Sequence, residues 1–237
     1  MEKQRFAVFD IDGTLVRWQL YHAVANALLK QSGNRKLYDH IRSARRQWKQ
    51  RSHSLSFREY ESTLVQAYEA TLQQISATDF NQAADAAVNE YKDQVYTFTR
   101  DLIAELKEKG YFLLAISGSQ QELVEKIAAY YEFDDCVGTV YEQKDGRFTG
   151  QKILGSSQKH KVLEHFITTH NLTIQGSCAV GDSESDIPML AMVDNPIAFN
   201  PTAALLDEAR QQKWSIVVER KNVVYKLDPH NGAYLLA

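Results

Sequence analysis

Two carboxylates one residue apart, Asp10 and Asp12, close the apolar run Phe6-Ala7-Val8-Phe9 near the start of this chain. A short apolar run of this kind reads as a buried strand. Strand side chains alternate with period two, so the two acids start out on one side. Gly13 then lets the backbone turn sharply. The pair is therefore expected at the C-terminal mouth of a strand, where open α/β sheets bind their ligands. Like charges held together are costly unless a cation or a shared proton relieves them. Hard oxygen donors favour Mg²⁺ for that role. Taken alone, the same residues also make an ordinary turn, so the reading depends on what lies further along.

Three later segments carry it. Tyr111–Ile116 is a second apolar run, and Ser117-Gly118-Ser119 follows it. Ser119-Gln120-Gln121-Glu122 has the spacing of a capping box. A hydroxyl and free N–H groups at a helix start suit an anion such as phosphate. Lys159, in Ser156–Leu163, stands near a helix start, where the helix dipole disfavours a cation. A facing anion would explain it, with Lys161 as the rival candidate. Finally, Cys178-Ala179-Val180-Gly181 leads to Asp182, and Asp186 follows. Ser183 can cap a helix with Asp186 at the capping-box position, and Pro188 is tolerated in its first turns. Asp10, Ser117 and Asp182 thus come at three strand tips.

Asp10-Ile11-Asp12-Gly13-Thr14, Ser117-Gly118-Ser119, Lys159, and Gly181-Asp182 with Asp186 stand in the order of four signatures. The chain resembles the haloacid-dehalogenase-like hydrolase superfamily and, within it, the phosphoserine-phosphatase-like branch. The resemblance implies a Mg²⁺-dependent phosphatase that acts on a small-molecule phosphomonoester through an aspartyl-phosphate. Asp10 would be the nucleophile. Asp12 would be the acid for the leaving alkoxide and then the base for water. Lys159 would neutralise charge on Asp10 and on the phosphoryl group. Ser117 and Gly118 would hold phosphoryl oxygens. Metal would be bound by the carboxylates of Asp10 and Asp182 and the carbonyl of Asp12, with Asp186 orienting Lys159 or a metal-bound water. An Asp at the second acid position suits phosphatases, whose leaving oxygen needs a proton. A phosphotransferase of the same fold is the alternative. Phosphoserine phosphatases carry Glu where this chain has Gln19. A neutral amide cannot pair with the substrate amine as an acid does, so phosphoserine is expected to be a poor substrate.

These groups need elements to carry them. Residues 17–96 read as four helices, at about Trp18–Lys30, 36–50, 57–75 and 79–93, with no strand-like run between them. Such helices form a small bundle. From about residue 97, strands and helices alternate, which implies a parallel sheet with helices on both faces. The expected architecture is α/β: a Rossmann-like core of residues 1–16 and 97–237, with an inserted helical cap of residues 17–96. In the resembled family such a cap closes over the site and selects substrate. Within the core, Gly110 ends a helix, Asp145-Gly146 turns a hairpin over Tyr141–Ile153, Asn200-Pro201 starts a helix, and Ser215–Val218 is a further strand.

Composition sets the outer limits. The 237 residues are 44% hydrophobic and 24% charged, ordinary for a globular protein. A net charge of -3 argues against bulk electrostatic binding of nucleic acid. No apolar run is long enough for a membrane helix or a signal peptide. With two cysteines, Cys136 and Cys178, a reducing cytoplasmic compartment is expected. One cluster stands apart: Arg35, Lys36, Arg42, Arg45, Arg46, Lys49, Arg51 and Arg58, with Asp39 as the one acid among them. It reads as a solvated helix face. The sharper alternative is a collar for a polyanion, and with it a non-catalytic or RNA-associated module. Salt-dependent binding would reveal that.

Overall fold

The computed structural model describes residues 3–31, 35–53, 55–153, 158–230 and 233–236. By its contacts the chain forms two compact units. One comprises Met1–Gln19, Lys92–Thr139 and Leu154–Ala237; the other comprises Leu20–Tyr91 and Val140–Ile153.

The first unit is built on a sheet whose centre is β1 (Gln4–Phe9). Parallel strands flank it, β2 (Phe112–Gln120) on one side and β5 (Leu172–Gly181) on the other. Val8 aligns with Leu114 and with Ala179. β3 (Asp135–Lys144) continues the sheet beyond β2, while β6 (Asn195–Phe199) and β7 (Ser215–Arg220) continue it beyond β5, all parallel. β8 (Val223–His230) and β9 (Ala233–Leu236) add an antiparallel edge. The strands are apolar almost throughout, because helices cover both faces. Phe6, Val8, Leu114, Ile116 and Ala179 are fully buried, with Leu163 and Phe166 of α7 (Lys159–Thr169) in the same core. β2 and β3 lie on one side of β1 and β5, β6 and β7 on the other, which makes its C-terminal end the switch point where ligands bind in such sheets. α5 (Thr97–Glu108) precedes β2, and Gly110 ends it at φ 73°. α6 (Gln121–Tyr130) follows β2, the short α8 (Ile187–Leu190) follows β5, and α9 (Ala203–Gln212) follows β6.

The second unit holds α1 (Leu20–Gln31), α2 (Arg35–Lys49), α3 (Ser56–Leu72) and α4 (Ala77–Tyr91) around Val24, Leu28, Tyr60, Leu64, Phe80 and Ala84. It also holds the hairpin formed by the second half of β3 and β4 (Arg147–Ile153). Asp145 and Gly146 turn that hairpin at φ 51° and 74°, as such a turn requires. The sequence pattern had grouped the hairpin with the core. Its contacts instead run to the helices: Phe148 packs edge-on against Phe80, Tyr141 bonds Glu69, and the Gly146 carbonyl accepts from the Ala77 N–H.

Two helix starts differ from expectation. β2 runs through Ser119, and α6 begins at Gln121 with no side-chain cap on Gln120, so the capping box at Ser119 does not form. α9 is capped by Thr202, whose hydroxyl accepts from the Leu205 N–H, rather than by Asn200. Cys178 lies in the core, where burial pushes its thiol up to about 12. Both cysteines are free. Among the described residues no helix is long and apolar enough to cross a membrane.

Candidate active site

The acids sit at the C-terminal tips of two neighbouring strands, β1 and β5. Asp10 leaves β1 with its N–H still bonded to the Val180 carbonyl of β5. The chain then wraps tightly: Leu15 and Val16 N–H groups both donate to the Ile11 carbonyl, and Gly13 N–H donates to that of Val16. Gly13 adopts φ 85°, which side chains rarely adopt. It also lies so near Asp182 that any Cβ there would press on that carboxylate.

Lys159 starts α7 and is almost fully buried. Its ammonium donates to Asp10 Oδ1 at 2.7 Å and to Asp186 Oδ1 at 2.6 Å. Burial alone would lower its pKa, but the two carboxylates more than offset that and raise it. The anion expected opposite this helix start is therefore Asp10 together with Asp186. Lys161 is exposed. Ser156 and Ser157 lie outside the described residues.

Asp186 is wholly buried and its second oxygen is also engaged. Oδ2 accepts from the Asp182 N–H at 3.1 Å, the Ser183 N–H at 3.0 Å and the Ser183 hydroxyl at 3.0 Å. This is the capping box read from the sequence, on the single turn Glu184–Asp186. Asp186 thus shapes the loop that carries Asp182 while holding Lys159.

Asp12 is placed differently from the simple picture of two acids sharing one cation. Its Oδ2 accepts from the Ser117 hydroxyl at 2.7 Å. Ser117 in turn accepts from the Ser119 N–H at 2.9 Å. The carboxylates that gather are Asp10, Asp182 and Asp186, with oxygens within 4.8 Å of one another. Asp12 adds no carboxylate to that cluster. Part of the relief expected from a cation comes from Lys159 and from the Ser117 hydroxyl. Gly118 is exposed at the tip, and its carbonyl accepts from Thr139.

The cluster remains short of positive charge. Burial, with Asp186 and Asp12 nearby, pushes Asp10 up to about 7 despite Lys159. Burial and the charges of Asp10 and Asp186 push Asp182 up to about 9. Among the described residues no hydrogen-bond donor reaches the Asp182 carboxylate. A half-buried acid without a donor, beside two more acids, suits a hard divalent cation, so the donor set fits Mg²⁺.

Elsewhere, Arg35, Arg42, Arg46, Lys49 and Arg51 are exposed, and no ion pair is found for them among the described residues. The side chains of Lys36 and Arg58 lie outside the description. Burial and neighbouring Arg45 hold His22 down to about 3, so it is neutral. Sequence reading missed Arg17, Tyr96, Asn200 and Glu219, which form a polar network beside the Asp182 loop. Arg17 stands three residues beyond the first signature and Asn200 was read only as a helix start, while nothing local marked Tyr96 or Glu219.

The sequence model of the haloacid dehalogenase-like hydrolases matches residues 7–191. A phosphoserine phosphatase of Mycobacterium tuberculosis is 32% identical over 127 residues, 52% of this chain and 41% of that protein. The chain thus spans well under half of that relative. A histidinol-phosphatase of Neisseria meningitidis is 25% identical over 228 residues, 90% of this chain and 98% of that protein. A solved structure of a phospho-aspartyl intermediate analogue of phosphoserine phosphatase shares the fold, with a TM-score of 0.63 at 21% identity. It covers 93% of this chain and 96% of that one. A protein of unknown function from Bordetella pertussis aligns with a TM-score of 0.71 at 18% identity, covering 91% and 98%.

Proposed function

The chain belongs to the haloacid dehalogenase-like hydrolases, and from that premise we propose that it is a Mg²⁺-dependent phosphatase of small phosphomonoesters, working through an aspartyl-phosphate on Asp10. One observation carries the reading: Lys159 joins Asp10 to Asp186 at the mouth of β1, while among the described residues no donor reaches the Asp182 carboxylate beside them.

Asp10 attacks phosphorus with one carboxylate oxygen, and the bond to the ester oxygen breaks. Lys159 favours the ionised form of Asp10 for that attack and offsets charge on the transferring group. Asp12 donates a proton to the departing alkoxide. In the second half, Asp12 takes a proton from water as that water attacks phosphorus, which frees Asp10 and inorganic phosphate. Ser117 holds Asp12 before substrate enters. With substrate present, Ser117 and Gly118 would turn to the phosphoryl oxygens. Asp10, Asp182 and the Asp12 carbonyl would hold Mg²⁺, which supplies charge neutralisation for the phosphoryl oxygens. Asp186 keeps Lys159 and the Asp182 loop in place.

Relatives bearing the names phosphoserine phosphatase and histidinol-phosphatase support a phosphomonoester of an amino-alcohol type. Gln19 in place of an acid disfavours phosphoserine itself. The helical unit would supply substrate selection. The test is turnover of a panel of amino-alcohol, sugar and nucleotide monophosphates, with and without Mg²⁺, by wild type and Asp10→Asn. Turnover that requires both Mg²⁺ and Asp10 supports the reading. Equal turnover by Asp10→Asn, or without metal, rejects it.

A further inference from the structure

A polar network outside the acid cluster centres on Arg17 and Glu219, 202 residues apart. Glu219 lies on β7 with its side chain 1% exposed. Its carboxylate receives the Arg17 guanidinium through Oε1 and the Phe98 N–H through Oε2 at 2.9 Å. Phe98 stands in the first turn of α5, which has no side-chain cap of its own. Glu219 therefore serves a cation and a helix start at once.

Two routes lead from this pair to the acids. On the Arg17 side, Nε donates to the Val95 carbonyl at 2.7 Å, and the Arg17 N–H donates to the Gln94 carbonyl at 3.0 Å. Tyr96 N–H donates to the Leu15 carbonyl at 2.9 Å, and Val16 bridges Val95. Arg17 thus ties down the end of the short wrapped loop that begins at Asp10. On the Glu219 side, its N–H donates to Asn200 Oδ1 at 2.9 Å. Asn200, at φ 42°, donates its own N–H to the Val217 carbonyl. Two residues on, the Thr202 N–H donates to the Asp182 carbonyl at 2.8 Å. Tyr96 closes the circuit. Its ring lies under the Arg17 guanidinium at 4.7 Å and edge-on to Phe199, the neighbour of Asn200, at 4.9 Å.

We propose that the Arg17–Glu219 pair is a positioning device that sets the spacing between the Asp10 loop and the Asp182 loop. It rests on the reading that these acids share a divalent cation. The two loops leave adjacent strands, β1 and β5, and a small cation with strict geometry demands that their carboxylates meet within narrow limits. Carboxylate spacing at such a site is set by what holds the backbone behind it. Glu219 bonds directly to Arg17 on one route and to Asn200 on the other.

The test is calorimetric titration of the intact, phosphate-free protein with MgCl₂. Glu219→Gln keeps an oxygen for the Phe98 N–H and removes the ion pair. Arg17→Lys keeps the charge and removes the Nε bond. Ile127→Ala, in the core of α6, serves as a control that lowers stability elsewhere. The expected result is Mg²⁺ affinity weakened about 10-fold in Glu219→Gln and by less in Arg17→Lys, with Ile127→Ala close to wild type. A merely structural pair would lower melting temperature in Glu219→Gln and leave Mg²⁺ affinity unchanged, which overturns the proposal. Wild type that binds no Mg²⁺ would overturn the underlying functional reading, and this inference with it, a result distinct from variants that match a metal-binding wild type.

Discussion

Gly13→Ala should cost the protein its metal far more than its fold. At Gly13 a Cβ would stand 3.0 Å from Asp182 Cγ and closer still to Oδ2. Ordinary contact needs roughly 3.5 Å, so the carboxylate must retreat by about 1 Å. Among the described residues no donor holds the Asp182 carboxylate, so the side chain can swing aside at little cost in stability. A Mg²⁺ ligand cannot tolerate that shift, because the ion holds its oxygens at about 2.0–2.1 Å in near-ideal octahedral geometry. The backbone adds a separate effect. Gly13 has φ 85°, and forcing alanine there costs about 1–2 kcal/mol. Gly110 provides the control: its φ is 73° and nothing lies within 4 Å of its Cβ position. Gly110→Ala therefore carries the same backbone strain without the collision. Both variants should lose about 2–8 °C in apo melting temperature. The stabilisation on adding Mg²⁺ should persist in Gly110→Ala and largely vanish in Gly13→Ala. Equal Mg²⁺ responses in the two variants would refute the reasoning, since Asp182 would then not be the ligand this geometry implies.

Lys159→Met should destabilise the fold by about 3–5 kcal/mol in urea unfolding, because two buried carboxylates lose their shared cation; a loss under about 1 kcal/mol would contradict that. In the metal-free protein, stability should fall as pH rises from 5 to about 9. Asp10 and Asp182 are pushed up to about 7 and 9, so the folded state holds protons that the unfolded state has released, and it loses that advantage as they titrate. Melting curves across that range should show Mg²⁺ stabilising most at the alkaline end. Asp12→Asn should slow phosphorylation more with an alkyl phosphate than with p-nitrophenyl phosphate, whose leaving group needs little protonation; single-turnover rates would show whether the losses are instead equal. Gln19→Glu should raise kcat/KM for phosphoserine relative to a sugar phosphate by roughly one to two decades, the worth of one charge-assisted contact.

What the sequence made legible was local. Apolar runs before Asp10, Ser117 and Asp182 marked three parallel strands, which announce themselves by composition, although β2 runs on past Ser117 to Gln120. The odd placement of Lys159 at a helix start pointed correctly to an anion. The identity of that anion was hidden, because Asp186 and Asp10 lie 27 and 149 residues away from it. The same distance in sequence hid Glu219 from Arg17. Helix caps failed where the chain had a stronger option. β2 extends through Gln120 because pairing with Thr139 of β3 resumes there, and that leaves Ser119 no cap to make. The hairpin was legible as a hairpin, yet its partner was not, since Phe148 and Tyr141 would suit any apolar surface and only the fold offers Phe80 and Tyr68.

The central claim is that Asp10 carries the phosphoryl group. The direct measurement is rapid acid quench of the protein with Mg²⁺ and a turned-over phosphomonoester, followed by mass spectrometry of the peptide containing Asp10. One acid-stable, hydroxylamine-labile phosphoryl group on Asp10, absent in Asp10→Asn, is the predicted result. Sustained turnover with no label on Asp10, or with label on another side chain, would contradict the account.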